Sequence, residues 1–313
     1  MNITHLVTHS GGFHADELLS SVILTRLFPN AELLRTRDKT WIKPAEGRII
    51  YDVGGVFEAD AQIFDHHQRP NPLREDGQPY SSFGLIWAHY GHDYLRAMGV
   101  PEKDMASIHA SFDRGFVLPV DLVDNGAVNT SDAGPIFSGM TLPVLLESLK
   151  TVFDDRAEGA DDRAFLAALP VARAFVEAQI KRKAAKFRSE NMVLTAIKAA
   201  GDGCVLELPM GMPFRGAVEK AGADHLLFVI HPRGEDWSLT TIRIGDDTFD
   251  NRADLPAAWA GLSDDALKAA SGVTGAKFCH NGRFIAVASS YDAVRKMADI
   301  AVAFWKYNLK HNP

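Results

Sequence analysis

Cysteine is nearly absent from this chain: among 313 residues there are two, Cys204 and Cys279, with no CxxC or other ligand spacing. That excludes a disulfide framework and a thiolate zinc knot, and it predicts two buried, reduced thiols. No run reaches the roughly eighteen uninterrupted apolar residues that a membrane span needs. The opening Met1-Asn2-Ile3-Thr4-His5 lacks the charged-then-apolar pattern of a secretory signal. These two absences lead to the expectation of a cytoplasmic protein. Positive charge is also in deficit, with 33 Lys and Arg against 40 Asp and Glu and a net charge of −7. A surface built wholly to grip duplex phosphates is thereby excluded, while a local basic groove is not. Internal repeats and low-complexity tracts are lacking too, so a solenoid is not expected.

What is present is a globular composition, 46% hydrophobic and 23% charged, in a chain long enough to bury two cores. Histidine is the informative residue. Of twelve, eight fall before residue 110 (His5, His9, His14, His66, His67, His89, His92 and His109), several beside acidic residues. Imidazoles and carboxylates gathered this way point to a metal site.

The patterning is α/β. Ile3 to Thr8 reads as a short buried strand and His9 to His14 as a loop; Leu18, Leu19, Val22, Ile23 and Leu27 recur at helical spacing. Strands are expected over 31–36, 48–53 and 62–64, the second closed by Gly54-Gly55. A proline-bearing loop over 68–79 precedes a helix capped by Ser81 or Ser82 and running to about Met98. Further helices are expected over 102–123 and 142–153, the latter capped by Thr141. Residues 161–200 read as one long connecting helix containing Pro170, after which β-rich runs at 204–208, 225–230, 237–244 and 284–288 precede a terminal helix over 291–309. The expected organisation is a parallel-sheet domain over 1–160, a connecting helix over 161–202 and a smaller mixed α/β domain over 203–313.

Chemistry-bearing residues follow the expected strands of the first domain: His9, His14 and Asp16 after the first, Asp52 after the third, and Asp65-His66-His67 after the fourth. Carboxyl ends of parallel strands are where open sheets bind ligands. Any one of these residues alone has the commoner reading of a solvated loop residue, and Asp52 alone that of a turn former. Together they suit divalent ions such as Mn²⁺, Mg²⁺, Co²⁺, Fe²⁺ or Zn²⁺, and they are numerous enough for two, with Asp52 suited to bridge them. The chemistry of such a pair is hydrolysis at a phosphoryl or carbonyl centre. Gly11 and Gly12 allow the loop backbone to come close to an ion or anion.

Five stretches occur in order: Thr8-His9-Ser10-Gly11-Gly12-Phe13-His14-Ala15-Asp16-Glu17, Tyr51-Asp52-Val53-Gly54-Gly55, Phe64-Asp65-His66-His67-Gln68-Arg69, Asp121-Leu122-Val123-Asp124-Asn125-Gly126, and Phe278-Cys279-His280-Asn281-Gly282-Arg283-Phe284-Ile285. The set resembles the Myg-type branch of the DHH phosphoesterase superfamily, which includes single-strand exonucleases, oligoribonucleases and manganese pyrophosphatases. The resemblance implies a two-metal site in the first domain, manganese foremost, and a second domain that holds substrate across a cleft. It implies that His9, His14 and Asp52 hold one ion, and that Asp16, Asp52, His66 and Asp124 hold the other. His67 would face the scissile phosphate, Asp65 would support the histidines, and His280 and Arg283 would contact substrate. Two departures stand out. The wider superfamily has H-x3-D-x-D in its first motif, where this chain has an extra residue and His14. Ala286-Val287-Ala288 stands where the family tends to have glycine.

Arg215, Arg243 and Arg252 are candidate phosphate binders, since a guanidinium matches phosphate bidentately. Lys181, Arg182, Lys183, Lys186 and Arg188 could track a nucleic-acid backbone, against the commoner reading of a solvated helix face. His89 and His92 read as surface histidines. The expected function is metal-dependent phosphodiester hydrolysis, as an exonuclease or oligonucleotidase on short single-stranded nucleic acid with RNA favoured. A small-molecule phosphatase or pyrophosphatase is the alternative within enzymes. A metal-binding regulatory protein without turnover is the alternative outside them.

Overall fold

Leu6, Val7 and Thr8 are all buried, as a strand covered on both faces must be. They form β1 (His5–Thr8), which pairs in parallel with β2 (Glu32–Arg35) on one side and β3 (Arg48–Tyr51) on the other. The structure, a computed structural model, describes residues 2–128, 138–245 and 248–311. The first sheet has the order β2-β1-β3-β5-β4, with β5 (Ile63–Phe64) parallel to β3 and the two-residue β4 (Phe57–Glu58) antiparallel at the edge. The sheet expected to be parallel therefore carries one antiparallel edge strand. Val7, Ile50 and Ile63 pack with Val53 against Trp41 and Ile42. On the opposite face Tyr51 hydrogen-bonds the hydroxyl of Ser21 at 2.6 Å.

Ser21 belongs to α1 (Ala15–Leu27), whose residues 15–24 are all buried, and α1 packs against α2 (Ser82–Ala97). Asp16, Glu17, Ser20 and Ser21 are buried along with its apolar residues, so this stretch of the helix is enclosed by protein. Ser81 caps α2, accepting from the Phe83 N–H at 3.2 Å. The single helix expected over 102–123 is instead α3 (Glu102–Phe112), a π-helical turn over 113–117 and α4 (Leu118–Asp124). Pro119 supplies the reason, since it lacks the N–H that would continue the α-helical ladder. The helix expected to reach Phe153 stops early, as α5 (Leu142–Glu147). Thr141 stands at its N-cap position but makes no side-chain cap bond. Beyond it Phe153 is 93% exposed, so no core rewards further helix.

The long helix α6 (Ala160–Ala200) accommodates Pro170, and the chain divides inside it into two compact units, Met1–Ala184 and Ala185–Pro313. The second unit holds β6 (Val205–Glu207), α7 (Arg215–Lys220), β7 (Phe228–Arg233), β8 (Asp236–Thr241), α8 (Asp264–Ser271), β9 (Ala276–Cys279), β10 (Ile285–Ala288) and α9 (Tyr291–His311). Its sheet runs β6-β7-β8-β10-β9, parallel only between β6 and β7. Phe228, Ile230 and Leu239 belong to one core with Trp259 and Met297; Leu206 and Val229 belong to another with Val193 and Val218. Of the two cysteines expected to be buried, Cys279 is and Cys204 is only partly so; both are free.

Candidate metal centre

Because β1, β3 and β5 are adjacent and parallel, the residues that follow them emerge at one edge of the sheet. His9, Asp52 and the run Asp65-His66-His67 meet there. Asp52 adopts a left-handed conformation (φ 52°), which an aspartate tolerates better than most residues and which turns the chain sharply at the strand end. His9 Nε2 lies 3.3 Å from Asp52 Oδ2, and His66 Nε2 lies 3.5 Å from Asp52 Oδ1, so one carboxylate faces both imidazoles with separate oxygens. His66 Nε2 is also 3.3 Å from Asp124 and 4.0 Å from Asp16.

Helix α1 brings two of these groups. Its first turn opens with Glu17 accepting from the His14 backbone N–H at 2.9 Å, the reciprocal bond of a capping box. That places Asp16 and Glu17 inside. Both are buried. Glu17 also lies 3.0 Å from His9 Nε2. Three groups of side chains offer ligand atoms all within 4.8 Å of one another: His9, His14, Glu17 and Asp52; Asp52, Asp65, His66 and His67; Asp16, His66 and Asp124. A cleft of about 230 Å³ opens on them, lined also by Val120, Val123, Pro143 and Glu147.

Asp124 is held at the end of α4 by a second, buried network. Asp121 accepts from Ser81 at 2.7 Å and pairs with Arg74, which also binds Asp113. Asn125 Nδ2 donates to the Tyr80 and Asp121 carbonyls. Burial pushes the Asp121 carboxyl up to about 6 against the opposing pull of Ser81 and Arg74.

The electrostatics show a site short of positive charge. Burial lowers the affinity of His9 for a proton, but the hydrogen bonds to Asp52 and Glu17 and the charges of both outweigh it and raise His9 to about 10. His66 is raised too, burial being overcome by Asp52 and Asp124. Asp52 is lowered, its burial offset by His66 and His9. Asp16 goes the other way: burial first, then the charges of Asp52 and Asp124, lift it well above the usual carboxylate range. Among the described residues, neither Asp16 oxygen accepts a hydrogen bond. A buried carboxylate without donors is costly unless a cation faces it. That orphaned pair of oxygens and the all-oxygen-and-imidazole donor set fit divalent ions.

His14 and His67 are the exposed members; the His67 side chain is 62% accessible, with Nδ1 anchored on Asp65 Oδ1 at 2.7 Å. The Asp65 hydrogen bond raises it. Asp65 itself is lowered, burial being outweighed by bonds from His67 and from the Gly55 and His67 backbone.

In the second unit, Arg283 (φ 56°) is bound to Asp254 at 2.7 Å, and the His280 ring lies 4.3 Å from Phe284. Arg252 donates to the Ala223 and Leu226 carbonyls and pairs with Asp224, so its guanidinium is engaged in holding a loop. Arg243 instead lies over the Phe249 ring, 4.5 Å from its centroid. Of the basic run on α6, Lys181 pairs with Glu177 and Lys183 bonds Ser111, while Arg182, Lys186 and Arg188 are exposed. His89 and His92 are exposed, as expected. Glu17 and Glu147 were not singled out by sequence reasoning. The spacing of Glu17 from His14 in a capping box was the available signal; Glu147 had none.

The MYG1 exonuclease sequence model, described as an uncharacterised protein family (UPF0160), matches residues 5–302. The chain belongs to that family. A MYG1 protein of Schizosaccharomyces pombe is 28% identical over 327 residues, spanning 97% of this chain and 98% of its own length. The MYG1 exonuclease of Rattus norvegicus is 29% identical over 322 residues, 95% of this chain and 84% of its own. Among solved structures, manganese-bound RecJ of Thermus thermophilus aligns with 96% of this chain and 52% of itself at 14% identity and a TM-score of 0.27. All five motif stretches of this MYG1-family chain lie inside the matched residues. No helix among the described residues is long and apolar enough to cross a membrane.

Proposed function

We propose that this chain is a metal-dependent phosphodiesterase that acts as an exonuclease on short single-stranded nucleic acid, RNA foremost. The observation that carries the proposal is Asp16, buried with both oxygens bare beside Asp52, Asp124 and His66. The names of the rat and other MYG1 exonucleases support it from the side of the family.

In this reading His9, His14 and Asp52 would hold one ion and Asp16, Asp52, His66 and Asp124 the other, with manganese the best-suited metal. Such ions supply Lewis-acid charge to phosphoryl oxygens and acidify water. The chain's own residues do the rest. Asp52 keeps its two oxygens turned to two different imidazoles, the arrangement a bridging carboxylate needs. Asp65 locks the His67 ring through Nδ1 and raises its proton affinity, which favours the protonated ring that carries an Nε2–H as well. That N–H donates to a phosphoryl oxygen or to the departing alkoxide. Val120, Val123 and Pro143 line one part of the cleft with apolar side chains. His280 and Arg283 are assigned to substrate capture, so Arg283→Ala raises KM while His67→Ala lowers kcat.

The test is Asp52→Asn, which keeps shape and removes the shared charge. With Mn²⁺ and a single-stranded oligoribonucleotide, turnover is expected to fall by about 10³ or more while circular dichroism is unchanged. Near-normal turnover of a folded variant would reduce Asp52 to a turn residue. Faster hydrolysis of pyrophosphate than of any oligonucleotide would transfer the proposal to a pyrophosphatase.

A further inference from the structure

The second unit carries a cleft of about 340 Å³, lined by Arg215, Thr240, Arg243, Phe249, Gly282 and Phe284 among others, that adjoins the His280–Arg283 stretch assigned above to substrate capture. Two aromatic rings and two guanidiniums line it, and the two rings are exposed where burial would be favourable. Phe249 is 84% accessible and Phe284 42%. Large rings left bare beside polar groups mark contact surfaces. Arg243 covers one face of Phe249 at 4.5 Å, which leaves the other face open. Neither Arg215 nor Arg243 has an acidic partner among the described residues, whereas Arg252 and Arg283 nearby are both paired. The floor is firm: Thr241 Oγ1 donates to Asn251 at 2.7 Å, Asn251 binds Asp254 at 2.8 Å, and Asp254 holds Arg283.

We propose that this cleft is a single-nucleotide subsite for a single-stranded nucleic acid, in which Phe249 stacks on a base and Arg243 and Arg215 bind the adjoining phosphate. The inference deepens the exonuclease reading and rests on it. Base stacking on a bare aromatic beside a guanidinium is tolerant of sequence, because every base has a π-face, and it selects single strands, whose bases are free to splay. The volume suits one nucleotide. A bare inorganic anion would have no use for the two rings, and a hydrophobic peptide none for two guanidiniums without an acidic partner among the described residues. The cleft therefore discriminates by substrate class, requiring a base attached to the phosphate.

The experiment uses the full chain carrying Asp52→Asn, so that bound oligonucleotide is not consumed. Affinities for a pentaadenylate RNA and for an abasic strand of equal length are measured by calorimetry across a range of KCl. Phe249→Ala is expected to weaken pentaadenylate binding about tenfold and leave the abasic strand unchanged, with Phe249→Trp restoring affinity. Arg243→Gln is expected to weaken both strands and to reduce the salt slope by about one. Equal weakening of both strands by Phe249→Ala overturns stacking, and unchanged affinity in both variants overturns the subsite. The chain with Asp52 intact is assayed in parallel with Mn²⁺. Cleavage by it together with indifferent Phe249 and Arg243 variants fails the subsite alone. Base-selective binding without cleavage fails the catalytic reading alone.

Discussion

Asp16 concentrates the conflict between stability and function in one side chain. Its carboxylate is buried without a donor, and the neighbouring negative charges of Asp52 and Asp124 make its ionisation still harder. Asp16→Asn removes that charge at constant volume. Metal-free protein is expected to gain about 1–3 kcal/mol in denaturant unfolding, while affinity for Mn²⁺ falls at least tenfold. A variant less stable than its parent in chelator would show that Asp16 is satisfied by something other than a cation. His9 makes the complementary case. A histidine raised from 6.5 to about 10 on folding contributes stability that is complete below pH 6.5 and is lost as pH climbs toward 10. In chelator, Tm should drop by several degrees between pH 6.5 and 9.5. Protein loaded with Mn²⁺ should show a shallower slope, since a metal-bound imidazole carries no proton on its ligating nitrogen. A flat profile in chelator would contradict the assigned contact between His9, Asp52 and Glu17.

At the scale of elements, the site is assembled by strand ends and helix starts. The edge made by β1, β3 and β5 sets His9, Asp52 and His66, and the first turn of α1 sets Asp16 and Glu17. Asp124 comes from α4, whose position depends on how closely α2 approaches it. Gly84 of α2 makes that approach possible: a Cβ there would collide with Asp121 Oδ2 and stand 2.7 Å from the Tyr80 ring. Gly84→Ala must therefore displace a buried, hydrogen-bonded carboxylate rather than a flexible tip. The expected result is a loss of about 2–4 kcal/mol in urea unfolding, with weaker metal binding because Asp124 moves with α4. Full stability and full metal affinity in that variant would show the α2–α4 contact to be looser than its geometry.

For the whole molecule, ligand binding and stability are linked. Carboxylates that repel one another in the first unit should make the metal-free chain markedly less stable than the loaded one. At a Mn²⁺ concentration a hundredfold above Kd, one site alone adds about 2.7 kcal/mol. Differential scanning calorimetry with Mn²⁺ titrated into chelator-stripped protein checks this. An unmoved Tm would argue that no ion binds the cluster. The family supplies a frame without the residues' roles, since the relatives are about 28–29% identical over nearly the whole chain. The roles proposed for them are argued from the distances within the site.

Strand and helix order in the first unit was legible because buried parallel strands are short apolar runs and the apolar residues of α1 recur at helical spacing; Val7, Ile50 and Leu19 advertise their environment. So did the ligand types, because His9, Asp52 and Asp65-His66-His67 each follow such a run. The break at Pro119, the early end of α5 and the edge strand β4 were less legible, each being decided by a few local hydrogen bonds. Side-chain allegiance was not legible at all. Arg243 and Arg252 are the same residue type nine positions apart, yet one lies open over Phe249 and the other is engaged by two carbonyls and Asp224. Glu17 became a partner of His9 only when the turn of α1 swung it inward. Local periodicity and residue chemistry determine which elements form and which groups are available to them. Which charges end up facing each other, and which oxygens are left bare for a cation, is decided by packing, because only the folded chain removes the water that would otherwise satisfy them all.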